Sequence, residues 1–230
     1  MSAAIFERPP DVKRTRSPAD REQHFVMHGV SYQSYVTIAD ALMNQPIRFN
    51  YDRGSLELMT VSLGHEWMKS LFGEFMSILR LEIRIKMRSG GSMTFRKEEK
   101  QRGLEPDECY WIQHEAQMRF KAEFDPDIDP PPDLMIEIEV SRSILDRIDI
   151  SAALKIPEIW RTDGNYLKVL LLQPDGQYQE SERSRAFPFL SMEKVAEFIR
   201  QRDTLDENEI VFAFRDWVRA QVAAGWPSAS

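Results

Sequence analysis

The chain has 230 residues, 42% hydrophobic and 10% aromatic, a composition normal for a globular protein with one buried core and some trimmings. A net charge of −7 argues against indiscriminate nucleic-acid binding, and a single cysteine excludes an internal disulfide or a cysteine-based zinc site. No run of eighteen apolar residues is present, so no membrane helix is expected, and the lone thiol suits a reducing, cytoplasmic setting.

Residues 1–25 open with MSAAIFERPPDVKRTRSPADR, rich in Pro, Arg and Asp, without the apolar core of a secretory signal. They read as a loose arm, with residues 26–230 as a single domain. Residues 30–43 predict a short helix with Ser31 as N-cap. Two alternating runs, 47–51 and 55–60, flank Asp52-Arg53-Gly54 and predict a hairpin. Glu57 lies in the second run, opposite in phase to Leu56 and Leu58, and reads as part of a solvated strand face.

The longest predicted helix, residues 64–87, aligns Met68, Leu71, Phe72, Phe75, Leu79 and Ile83 on one stripe. Arg80, Arg84 and Arg88 share another side, and Gly90 is a natural left-handed cap. Strands are predicted over 92–98, 108–113 and 134–140, with the Pro-rich stretch 125–132 as a loop between the last two. A helix over 144–154, strands over 157–161, 166–173 and 177–182, and amphipathic helices over 192–202 and 209–223 complete the chain. The expected fold is α/β: a mixed β-sheet flanked by helices on both faces, with an N-terminal helix and hairpin.

Charge is distributed unevenly. Eight bases lie between Arg80 and Arg102 against Glu82, Glu98 and Glu99, and an acidic stretch from Glu123 to Glu139 follows. A basic edge beside an acidic cluster suits a metal-dependent enzyme acting on a phosphate polymer; on charge alone, ordinary surface charge is the favoured reading. In Leu134–Val140 the strand period sends Ile136, Ile138 and Val140 one way and Asp133, Met135, Glu137 and Glu139 the other. Acids in so apolar a strand require water, buried ion pairs or a metal. Asp107 follows Pro106 at the mouth of the preceding strand; if the two strands pair, Asp107 and Glu137 converge. Mg²⁺ favours such a pair of carboxylates, completed by waters and phosphate oxygens.

Five ordered segments carry a resemblance: Tyr51-Asp52-Arg53-Gly54-Ser55-Leu56-Glu57-Leu58-Met59, Gly64-His65-Glu66, Gly103-Leu104-Glu105-Pro106-Asp107-Glu108-Cys109-Tyr110, Pro131-Pro132-Asp133-Leu134-Met135-Ile136-Glu137-Ile138 and Ile156-Pro157-Glu158-Ile159-Trp160-Arg161. Together they resemble the Uma2 family over roughly residues 30–200. The resemblance implies a PD-(D/E)xK, restriction-endonuclease-like fold and a metal-dependent endonuclease. It implies that Asp107 and Glu137 bind the metal, that His65 is the histidine opening the long helix, and that Glu57 is the acid near the hairpin. The lysine expected two residues after the strand glutamate is replaced by Glu139, and the position matching a lysine on the following helix is Arg147. Arginine can stabilise phosphate charge but cannot act as a base. Lys97, Lys100 and Lys155 are alternative stand-ins.

Without the resemblance, His65 reads as a surface histidine beside a helix N-terminus. Trp111, Trp160 and Cys109 read as core. The first functional expectation is a Mg²⁺- or Mn²⁺-dependent endonuclease acting on nucleic acid, DNA in particular. Its metal is held by Asp107, Glu137 and Glu139, its phosphate charge by Arg147, and its substrate backbone by the basic side of helix 64–88. The second is an inactive nuclease fold that binds nucleic acid or protein. The third is a small structural partner in a homo-oligomer, such as a homodimer, with Val211, Phe212, Phe214, Trp217 and Val218 of the last helix as the interface. No membrane partner is expected.

Overall fold

A computed structural model describes residues 22–141 and 143–227. Most of the predicted arm, residues 1–21, lies outside the described residues. Its last residues do not belong to an arm, because strand β1 spans His24–His28.

A first sheet has the order β1-β3-β2-β6-β5. Here β2 (Ile47–Asp52) and β3 (Ser55–Thr60) are the predicted hairpin, turned by Arg53 and Gly54 with positive φ. The short strands β5 (Phe95–Lys97) and β6 (Arg102–Leu104) replace the single strand expected over 92–98. Helix α1 (Tyr32–Ala41), capped by Ser31 as predicted, packs Tyr35 and Ala39 on Phe49, Tyr51 and Leu56. The strand period turns Arg48, Asn50 and Glu57 to the opposite face.

The second sheet has the order β11-β10-β9-β8-β7-β4. Strand β8 (Leu134–Ile138) pairs antiparallel with β7 (Glu108–Trp111) and parallel with β9 (Glu158–Thr162), so this sheet is mixed. A parallel neighbour needs a crossover, and α4 (Arg147–Ala153) supplies it. Strands β10 (Leu167–Leu172) and β11 (Tyr178–Ser181) continue as a meander, and β4 (Arg88–Ser89) closes the other edge. A short helix α3 (Glu115–Met118) follows β7.

Helix α2 (Leu63–Glu82) is capped by Ser62, whose hydroxyl accepts from the His65 N–H. It ends earlier than its apolar stripe predicts: Arg84 takes φ 56°, the left-handed stop expected at Gly90. Arg84 and Arg88 are therefore off the helix, and no basic helical side spans 80–88. The sequence changes period there, with Ile83, Ile85 and Met87 alternating like a strand.

The main core lies between one face of the second sheet and helices α2, α5 (Met192–Arg200) and α6 (Glu207–Ala223). It takes Leu134, Ile136 and Ile138 from β8 and Phe72, Phe75 and Leu79 from α2. Phe214 and Val218 are wholly buried in this core and Trp217 packs against it; of the proposed dimer stripe, Phe212 is exposed. Phe214, Val218 and, in part, Val211 and Trp217 thus serve the chain's own interior. The opposite face of β8 packs Met135 against Ile150 and Ile156, and beyond Met135 along that face comes Glu137.

Candidate active site

The site lies where the crossover leaves β8. Continuing the β7–β8 register by one residue sets Asp107 opposite Glu137. Cross-strand neighbours of this kind carry their Cβ atoms about 5 Å apart on one face. Both side chains are buried, at 0% and 3% exposure, so charge here must be met inside the protein.

Asp107 is met on every side. Its Oδ1 accepts from His65 Nε2 at 2.7 Å and faces Arg48 Nη1 at 3.3 Å, while Oδ2 accepts the Ile138 N–H at 2.6 Å. Burial alone would raise its pKa; the hydrogen bond and charge of His65, with Arg48 and Arg147, outweigh burial and hold it down at about 2. The second nitrogen of His65, Nδ1, lies 2.7 Å from Glu22 Oε1. Burial lowers the imidazole pKa, but its two carboxylate partners push it up to about 9, so the ring is an imidazolium at neutral pH. His65 is therefore fully buried, contrary to the surface reading. Arg48 also donates to the Pro106 carbonyl at 2.8 Å, fixing the Pro-Asp step to the first sheet.

Glu137 is met on one side. Its Oε2 pairs with Arg147 Nη2, and its Oε1 is buried with no hydrogen-bond partner among the described residues. Burial pushes the carboxyl up to about 8, helped by Asp107 and opposed by Arg147. Arg147, the first residue of α4, also donates from Nη2 to the Glu105 carbonyl at 2.9 Å, and its Nε is buried without a hydrogen-bond partner among the described residues.

Glu139 shares the phase of Glu137 but turns to Arg161, 2.7 Å away. Of the three acids expected together, Asp107 and Glu137 are neighbours and Glu139 stands beyond them in a separate ion pair. Among the described residues no group of three His, Cys, Asp or Glu side chains is arranged to hold a metal.

Glu57 is not a solvated strand residue. It is wholly buried and accepts from Asn50 Nδ2 at 3.1 Å, the Ser143 hydroxyl at 2.5 Å and the Ile144 N–H at 2.8 Å, with His24 Nδ1 at 2.9 Å. Burial would raise its pKa, and these bonds lower it. Glu57 thus ties the first sheet to the loop between β8 and α4. Cys109 is buried, and burial pushes its thiol up, as expected of a core cysteine.

A family model named Uma2 and described as "Putative restriction endonuclease" matches residues 32–205. The chain belongs to the Uma2 family. A solved structure that it resembles is a "putative nuclease belonging to DUF820" from Anabaena variabilis ATCC 29413, at 14% identity over 73% of this chain and 90% of that one, with a TM-score of 0.42. No curated protein matches. No described helix is long and apolar enough to cross a membrane.

Of the cations that could replace the missing lysine in this Uma2 chain, the structure brings Arg147 to Glu137. Lys97, Lys100 and Lys155 instead line a cavity of about 300 Å³ with Phe95 and Phe124, with Lys155 just past the far end of α4. Three residues around the acids were assigned no role from the sequence. Arg48 lies in phase with Asn50, a signal the hairpin pattern already held. Arg161 is the register partner of Glu137, legible only once β8 and β9 are known to pair. Glu22 carried no signal at all.

Proposed function

We propose that the chain is a nuclease that hydrolyses phosphodiester bonds of nucleic acid, DNA in particular. Asp107 and Glu137 would hold one divalent cation, Mg²⁺ or Mn²⁺. The observation that carries this reading is Glu137 Oε1, a buried carboxyl oxygen with no hydrogen-bond partner among the described residues, beside Asp107 on the neighbouring strand. A buried acceptor left unmatched is costly, and a hard cation satisfies it. Two carboxylates suit Mg²⁺, which fills its remaining positions with water and phosphate oxygens. When bound, the cation would acidify a water and neutralise charge on the leaving oxygen.

The chain's own residues have separate parts. His65 and Arg48 fix the Asp107 carboxylate in one orientation. Arg147 presents a permanent positive charge beside Glu137 for the developing phosphate charge, and cannot remove a proton. Glu57 holds the loop that positions Arg147. A buried, unpaired thiol at Cys109 suits a reducing, cytoplasmic setting.

A second reading, an inactive nuclease fold that binds nucleic acid or protein, is favoured by one observation. Both Asp107 oxygens already have protein partners. Calorimetric titration with Mg²⁺ and Mn²⁺, followed by cleavage assays on plasmid and single-stranded DNA, separates the two. Metal binding with cleavage supports the nuclease; a protein that binds neither ion and cleaves neither DNA is the inactive module.

A further inference from the structure

Beyond the two carboxylates, the loop after β8 and the start of α4 enclose a polar cavity of about 400 Å³ lined by Glu139, Ser143, Asp146, Arg147 and Arg161, among others. Arg147 enters from α4 and Arg161 from β9. The Nε of each guanidinium is buried and has no hydrogen-bond partner among the described residues. Arg147 is 8% exposed, so its orphaned donor is deep in the protein, while the Arg161 side chain is 34% exposed and reaches the mouth. Two planar donor forks at one cavity match the geometry of a phosphate diester.

The acids at this cavity are already committed. Asp146 accepts the Ile148 and Asp149 N–H groups through Oδ1 as the N-cap of α4. Glu139 faces Arg161 at 2.7 Å, with its own side chain 25% exposed. That carboxylate sits where an incoming phosphate oxygen would bind, on a residue partly open to water.

We propose that Arg161 forms the seat for a second phosphate of a nucleic-acid strand, next to the one that is cleaved, with Arg147 lying between the two phosphates and serving both, and that Glu139 is an internal anion occupying Arg161 until the strand displaces it. This rests on the nuclease reading and gives Glu139 a part other than metal ligand. The seat positions the strand through its backbone and carries no base preference. Arg161 is a binding residue here, and Glu139 acts through it.

The test is binding without cleavage: fluorescence anisotropy of a labelled single-stranded DNA oligonucleotide with the full chain in EDTA, over a series of salt concentrations. Arg161→Ala is expected to weaken binding about tenfold and to make the slope of log affinity against log salt shallower by about 0.7, the value for one lost phosphate contact on a single strand. Arg161→Lys keeps part of the affinity, since the charge remains without the fork. Glu139→Gln frees the guanidinium and tightens binding about fivefold. The double substitution Glu139→Gln/Arg161→Ala binds as Arg161→Ala does, within a factor of about two, because Glu139 acts only through Arg161.

Wild-type affinity and slope in Arg161→Ala overturn the proposal. So does a double variant that keeps the gain of Glu139→Gln, which would make Glu139 a general repulsive charge. If the wild-type chain binds no oligonucleotide, the nucleic-acid seat is refuted along with the nuclease reading. Inorganic pyrophosphate, read by thermal shift, then shows whether Arg147 and Arg161 bind phosphate at all. Stabilisation of wild type and not of Arg161→Ala would mean that the anion pocket is real and that the nuclease reading failed.

Discussion

Replacing Glu137 by glutamine tests the centre of the site in the metal-free protein. The folded chain holds a proton on Glu137 up to about pH 8, against 4.5 for an ordinary glutamate, because its carboxyl is buried. The folded state therefore binds this proton more tightly than the unfolded state. Stability from this group is present below pH 4.5 and falls as pH rises through about 8. Each pH unit in that window costs about 1.4 kcal/mol. Sharing of the charge with Arg147 reduces the total, leaving about 2–5 kcal/mol lost by pH 8. Glutamine has nearly the same shape and cannot ionise, so it escapes this decline. At about 2–4 °C per kcal/mol for a chain of this size, the variant should melt about 5–15 °C above wild type at pH 8 and close to it at pH 5. Scanning calorimetry in EDTA at the two pH values measures this. The same variant should lose stabilisation by Mg²⁺, while wild-type affinity for Mg²⁺ rises with pH as Glu137 gives up its proton. Parallel pH profiles would refute the buried-acid argument, and a variant stabilised by Mg²⁺ as wild type is would show that Glu137 is no ligand.

Arg147→Ala should slow single-turnover cleavage at saturating Mg²⁺ by about ten- to a thousand-fold with little loss of metal affinity, and Arg147→Lys should keep part of the rate. Rates for both variants within a factor of about two of wild type would make Arg147 an ordinary partner of Glu137. Glu57→Ala strips acceptors from Asn50, Ser143, Ile144 and His24 at a wholly buried position, and should cost about 3–5 kcal/mol in urea unfolding; a loss below about 1 kcal/mol would show that the loop is held by other means. Gly103→Ala would place a Cβ 2.6 Å from Tyr35 Cζ, whose ring is wholly buried and stacked 4.7 Å from Tyr51. It should cost about 1–3 kcal/mol in the same assay, and a neutral result would mean that α1 shifts freely.

Much of the fold was legible along the chain because its elements are local. Ser31 caps α1, the Asp52-Arg53-Gly54 turn makes the hairpin, and α5 and α6 follow their apolar stripes. The phase of 134–140 was legible too: Ile136 and Ile138 entered the main core, and Glu137 and Glu139 left it. What misled was length and setting. The stripe of α2 ran on past its left-handed stop at Arg84, and Glu57 looked solvated because strand alternation distinguishes two faces without showing what covers each.

By itself the sequence determined the helices, the hairpin, the two faces of β8 and, through ordered motifs, the family and the residues to watch. It did so because caps, turns and periodicity are properties of neighbours in the chain. The partners of those residues were decided only by tertiary structure. Antiparallel pairing set Asp107 across from Glu137, parallel pairing brought Arg161 beside the same strand, and packing of α2 buried His65 between Asp107 and Glu22. These contacts join residues from 24 to 43 positions apart. A charge in a sequence has no partner until folding removes the water around it. At this site folding left Glu137 Oε1 and the Nε atoms of Arg147 and Arg161 buried and unmatched among the described residues.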